Sequence, residues 1–118
     1  MKASIRQKLE RSAERCEEVG RMLADPKVLE RADQFRELSV EYARLLPTAT
    51  ALQEYRQLEA ELGAAEALST DSDPGMRTLG AEEAERLRAL LAGRAEALQR
   101  LLLPQDPHDE GNIFLEIR

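Results

Sequence analysis

Between residues 5 and 23, Ile5, Leu9, Ser12, Cys16, Val19 and Leu23 follow one another at steps of four and three residues. That spacing averages 3.5 residues and lines one side of an α-helix. A strand cannot use it, because strand side chains alternate faces every two residues. Charged residues fill the positions between, so the segment reads as a helix with one face that needs cover. The alternation returns at Phe35, Leu38, Tyr42, Leu45, Ala49 and Leu52. After one extra three-residue step, which shifts the stripe sideways and locally overwinds a supercoil, it continues through Tyr55, Leu58, Leu62 and Ala65. A third stripe runs through Ala84, Leu87, Leu91, Ala95, Leu98 and Leu102. Three stripes of similar length can bury one another. The sequence therefore predicts an all-α fold, an elongated antiparallel three-helix coiled-coil-like bundle.

The residues between the stripes set the boundaries. Asp25-Pro26 stops the first helix, which begins near Ala3. The same pair opens the next, since Asp is a good N-cap and Pro suits the first helical position. Val28 and Leu29 fall on a short first piece that reorients the chain near Asp33. Pro47 lies inside the second stripe, where it removes a backbone donor and crowds the preceding turn, so a kink or break is predicted near Leu45–Leu46. Left unbroken, a helix of about 35 residues would be about 52 Å long. Residues 69–75, Ser-Thr-Asp-Ser-Asp-Pro-Gly, form the clearest loop, and Asp73-Pro74 repeats the start signal. Gly80 weakens the turn that follows, which predicts a stable helix only from Ala81. Glu82, Glu83 and Glu85 would then sit at the positive end of its dipole. Pro104 ends that helix.

The last residues change character. Residues 105–112 are turn-forming, and Ile113-Phe114-Leu115-Glu116-Ile117 reads as a short C-terminal β-strand with Ile113, Leu115 and Ile117 on one face. A strand needs a partner for its backbone groups, and the chain offers no other. Two copies pairing through these tails would supply one. The abrupt end at Arg118 instead predicts a helical domain over 1–103 and, over 104–118, a linker and the first strand of a following domain.

Composition excludes several functions. Net charge is −6, whereas an autonomous nucleic-acid module shows a basic face. Residues 1–24 carry six Lys and Arg against four Asp and Glu, while residues 25–68 carry five against nine. Neighbouring helices of opposite charge attract weakly at their rims, which guides pairing more than it stabilises. Cys16 is the single cysteine, so no internal disulfide exists, and its place on an apolar stripe predicts an inert buried thiol. No signal peptide or membrane span is legible, which predicts a cytoplasmic protein with no membrane partner.

Chemistry-bearing residues are few. Glu17-Glu18 and Glu82-Glu83 are paired carboxylates on helix faces, where they read as solubilising charge rather than a general acid and base. His108, the one histidine, falls in a turn. With one Cys far away it excludes a His/Cys zinc site and a Ser/His/Asp set, and no cofactor is expected. The six glycines are scattered and form no phosphate loop. Arg77, Arg86, Arg88, Arg94 and Arg100 are spread over the third helix. They read as a mixed-charge face, or as an RNA-contacting strip diluted by nearby Glu. No catalytic, cofactor or metal residue is assigned, and the chain alone is not expected to be an enzyme.

Two stretches carry a family resemblance. The closing Leu-Leu-Leu-Pro-Gln-Asp-Pro-His-Asp-Glu-Gly-Asn-Ile-Phe-Leu-Glu-Ile-Arg, residues 101–118, resembles the segment of bacterial class I peptide chain release factors that leads from the helical N-terminal domain into the central sheet. The opening through Val28, with Phe35–Leu45, resembles the type that reads UAA and UAG. The resemblance implies a protein of translation termination that recognises a stop codon and triggers peptidyl-tRNA hydrolysis. The family's Gly-Gly-Gln and Pro-x-Thr motifs lie beyond Arg118, so neither carries over to any position here. It further implies an N-terminal arm that docks on the ribosome at a stalk-base protein of the GTPase-associated region and is linked to the recycling GTPase factor. Pro47 departs from the family's pattern.

Two alternatives stand beside this reading. A tRNA-binding helical arm of an aminoacyl-tRNA synthetase shares the coiled-coil pattern but should be basic. A stand-alone coiled-coil adapter would dimerise through its stripes or its tail strand.

Overall fold

A computed structural model describes residues 1–102, and every described element is helical. The order is α1 (Ala3–Leu23), α2 (Pro26–Leu29), α3 (Ala32–Leu68) and α4 (Pro74–Leu102). The strand predicted at 113–117, the linker before it and His108 lie outside the described residues. The helices form two compact units. One comprises Met1–Leu52 together with the described residues from Leu98 on, and the other comprises Gln53–Ala97.

In the first unit α1 ends where Asp25-Pro26 demands. The Ala24 and Asp25 N–H groups close onto the Arg21 and Met22 carbonyls, and the Asp25 carboxylate accepts from the Lys27 N–H at 2.9 Å, capping α2. α2 is a single turn whose Val28 packs with Val19 and Leu38 in a cluster edged by Met22, Leu23 and Tyr42. The chain redirects at Glu30-Arg31, just ahead of the expected point, and α3 starts at Ala32. A Cβ added to Gly20 would lie 3.2 Å from the Tyr42 ring, and Arg15 pairs with Glu41. Those meetings, with Val19 against Leu38, run α1 and the first part of α3 antiparallel.

The stripes predict the buried face well, with two corrections. Leu9, Cys16 and Val19 are buried on α1, and Leu38, Leu45 and Leu52 on α3. Phe35, expected in the second stripe, is 38% exposed, because the cluster there closes with Val28. Thr48 takes the inward place assigned to Ala49 and is buried, while Ala49 is only half-buried. The predicted break at Pro47 does not occur, since α3 runs helical from Ala32 to Leu68 with Pro47 inside it. Pro47 is exposed, so the carbonyl that loses its donor there faces water, which lowers the cost.

The second unit is an antiparallel hairpin of the last part of α3 and most of α4. Ala65, Ala84 and Leu87 form its core, with Leu58 and Leu62 packed against them. Arg88 pairs with Glu66 at 3.0 Å and Arg94 with Glu54 at 3.4 Å across the two helices. α4 begins at Pro74, not at Ala81. Gly80 is not a weak spot in the helix. A Cβ there would lie 2.5 Å from the Ser69 nitrogen and 2.7 Å from the Ala65 carbonyl oxygen. A glycine is required for the two backbones to come this close. With the start moved to Pro74, Glu82, Glu83 and Glu85 lie beyond the first turn, which contains no acidic residue, and the dipole argument for them fails.

Candidate docking surface

The reversal at residues 69–73 is held by its own side chains. Ser69 and Thr70 hydroxyls donate to the Glu66 and Ala67 carbonyls at 2.6 and 2.8 Å, finishing α3. The Asp71 carboxylate accepts from the Asp73 N–H, and the Asp73 carboxylate from the Gly75 N–H, both at 2.9 Å. Asp73 is thereby the N-cap and Pro74 the first helical residue, the arrangement their chemistry favours. Arg77 then reaches back, its Nη1 donating to the Asp71 and Ser72 carbonyls at 3.0 Å each. Few polar groups of the turn are left to water alone, so its shape is fixed locally.

On this fixed turn stand two apolar side chains that the described residues cover only in part. Met76 is 40% and Leu79 55% exposed. Three residues apart on a helix, they share a side. Around them residues 66–85 carry Glu66, Asp71, Asp73, Glu82, Glu83 and Glu85 against Arg77, and of these six carboxylates Glu66 and Glu83 are paired with Arg88 and Arg86. The tip of this hairpin is therefore an apolar pair in a negative field, set on a rigid turn. Such a surface repels phosphate and suits a protein with a basic rim and an apolar seat. The stripe pattern missed it because Met76 and Leu79 precede Ala84, where the third stripe begins. The Asp73-Pro74 start signal, taken at face value, places both on a helix.

The candidates from sequence are dispersed. Glu18 pairs with Arg15 at 2.8 Å, and Glu17 stands exposed beside it. Glu83 pairs with Arg86 at 2.6 Å, while Glu82 is exposed. The hydrogen bond from Arg86 holds the Glu83 carboxyl below the usual carboxylate range and pushes the Arg86 guanidinium up. Four of the five arginines of α4 are engaged, Arg77 on the turn and Arg86, Arg88 and Arg94 on glutamates; Arg100 is exposed. Three of the five charges of the possible RNA-contacting strip, those of Arg86, Arg88 and Arg94, are thus paired with glutamates. Cys16 is buried, and burial, with Glu17 nearby, pushes its thiol up, away from the reactive thiolate. Among the described residues no group of three or more His, Cys, Asp and Glu is placed to hold a metal ion, and no helix is long and apolar enough to cross a membrane.

Comparison with known proteins adds two findings. The PCRF domain family matches residues 12–118. A protein of Xylella fastidiosa (strain 9a5c), peptide chain release factor 1, is 50% identical over 118 residues, which is 100% of this chain and 32% of that relative. The chain thus spans about a third of the length of the curated relative it matches. No solved structure matches the chain.

Proposed function

The chain belongs to the PCRF domain family of class I peptide chain release factors, and from that premise we propose that it is the N-terminal ribosome-docking arm of a translation-termination factor. In this reading residues 1–103 are the helical arm. Residues 104–118 are the linker and first strand of a following domain. Stop-codon recognition, of UAA and UAG in this reading, and peptidyl-tRNA hydrolysis reside in the rest of the protein. The arm itself carries no catalytic group and works in the cytoplasm.

The observation that carries the docking role is the hairpin tip. Met76 and Leu79 project from a turn locked by Asp71, Asp73 and Arg77, in a field of carboxylates. The partner this chemistry fits is a stalk-base ribosomal protein of the GTPase-associated region, with the recycling GTPase factor as a further candidate. Bare rRNA fits poorly, because phosphate meets negative charge. Engagement of Arg77, Arg86, Arg88 and Arg94 within the chain likewise speaks against a tRNA-binding arm.

Cosedimentation of the chain with 70S ribosomes tests the reading. Binding is expected and should fall at least tenfold in the double variant M76E/L79E with helicity unchanged. The chain alone should release no peptide from termination complexes. Unaltered binding by the double variant removes the tip as the docking site, and release by the chain alone removes the division of labour. Tight, salt-sensitive tRNA binding would return the synthetase-arm alternative.

A further inference from the structure

Met76 and Leu79 begin a longer pattern. Met76, Leu79, Glu83, Arg86, Leu90 and Gly93 follow one another along α4 at steps of three and four residues, the spacing of a helix-packing seam. This seam is not the buried one. Glu83, Arg86 and Leu90 each come one residue before a core residue, Ala84, Leu87 and Leu91, so it lies about 100° around the helix from the core. Met76, Leu79, Arg86 and Gly93 are exposed, and Glu83 and Leu90 are half-buried. Two contacts and a cavity show which flank of α3 borders the seam. Arg94 reaches Glu54 at 3.4 Å, and Arg86 feels the charge of Glu61. The cavity, of about 420 Å³, is lined by Gln53, Glu54, Gln57, Leu58 and Arg94. Seam and flank thus bound one groove on one side of the hairpin, about 27 Å long from Met76 to Arg94. An antiparallel helix pair leaves such a groove where the next helix of a bundle would lie.

The chemistry of the groove selects its occupant. Apolar side chains stand at both ends, Met76 and Leu79 at the tip and Leu58 and Leu90 away from it. Between them Glu83 and Arg86 pair at 2.6 Å. A mutually satisfied polar pair within an apolar seam fixes the register of whatever packs there. Glu54, Glu61, Glu82 and Glu83 border the groove against Arg86 and Arg94. The Gln53–Ala97 unit as a whole carries ten Asp and Glu against five Arg. A second copy, or a phosphate backbone, would bring negative charge to negative charge, whereas Lys and Arg flanks would find partners. A straight groove with a 3.5-residue seam along one wall matches a helix, not a loop or strand. We propose that this groove receives an amphipathic α-helix of a partner protein, about five turns long, apolar at steps of three and four residues and flanked by Lys and Arg. The proposal rests on the reading of the hairpin tip as a protein-docking surface, and it extends that contact along α4.

Gly93 gives the test, because it stands about 26 Å along α4 from Met76 and nothing lies within 4 Å of an added Cβ. The 118-residue chain with the photo-crosslinking amino acid p-benzoylphenylalanine at Gly93 is irradiated with purified 70S ribosomes, and the captured tryptic peptide is identified by mass spectrometry. The expected peptide comes from a ribosomal protein, is α-helical in the ribosome and carries the stated pattern. G93W should also lower cosedimentation with 70S ribosomes about tenfold, the loss of one anchor, with circular dichroism unchanged. Capture of rRNA, of a loop or strand, or of a second copy of the chain would overturn the proposal. So would ribosome binding that M76E/L79E abolishes and G93W leaves intact, a result that keeps the tip as the docking site. Failure of the unsubstituted chain to sediment with ribosomes removes both readings together. Should G93W alter the circular dichroism, L90E decides by the same outcomes.

Discussion

Arg15 of α1 holds Glu41 of α3 in a two-point grip, Nε to Oε2 at 2.6 Å and Nη2 to Oε1 at 2.9 Å, while its Nη1 takes Glu18 at 2.8 Å. A planar guanidinium facing a carboxylate fixes direction as well as distance, which a lysine would not do. The pair therefore sets the register of α1 on α3 beside the apolar cluster of Val19, Val28 and Leu38.

That grip makes part of the stability depend on acid. The hydrogen bonds from Arg15, then its charge and that of Arg44, hold the Glu41 carboxyl below its ordinary range. An unfolded glutamate titrates near about 4.3. The contribution is complete above that value and is lost as pH falls through the lower folded value. Urea denaturation between pH 6 and pH 3 should show stability falling on the acid side, and E41Q should flatten that slope. R15K should keep the charge, lose the fork and lower the melting temperature by a few degrees.

Gly80 and Gly93 are expected to respond oppositely to the same change. At Gly93 nothing lies within 4 Å of an added Cβ, so G93A should stabilise by roughly 0.5–1 kcal/mol through the unfolded chain. At Gly80 the added carbon meets the backbone of Ser69 at 2.5 Å. G80A should therefore lower the melting temperature despite alanine's better helix propensity. Thermal melts of the two variants side by side decide it, and a stabilised G80A would show that α3 and α4 do not need this close approach.

Pro47 sits inside a helix that continues past it. An interior proline costs a helix about 3 kcal/mol or more. P47A restores a donor toward the Ala43 carbonyl and should raise stability by about 1–3 kcal/mol, as read from denaturant midpoints.

Cys16 is expected to resist thiol reagents in the folded chain, because it is buried and its thiol is pushed up. Its modification rate should follow global unfolding as denaturant is added. Fast labelling in native buffer would mean that α1 detaches from α3 on its own.

Much of this architecture could be read from spacing alone. The buried positions of α1 and α4 fall on the predicted stripes because a 3.5-residue repeat has one geometric solution. Asp25-Pro26 acted as both stop and start because capping is local chemistry. The misses occurred where contacts beyond the local turn decided the outcome. Phe35 lost its place to Val28, which a one-turn helix brings in from outside the stripe. Thr48 entered the core because it lies three residues after Leu45 and four before Leu52, a spacing that outweighs its hydroxyl. Gly80 reads from sequence as helix-weakening, but its value lies in the Ser69 backbone opposite. The candidate docking surface escapes the stripe pattern because Met76 and Leu79 precede Ala84, although the Asp73-Pro74 start signal places both on α4.

The turn between α3 and α4 has a consequence for the order of events in the nascent chain. Its stop signals, its cap and the Arg77 clamp all lie between Ser69 and Arg77, so the reversal needs no distant residue to choose its course. Local closure of this kind is fast compared with long-range docking. The Gln53–Ala97 hairpin can thus zip up from its bend as soon as α4 has been synthesised, before any partner is met.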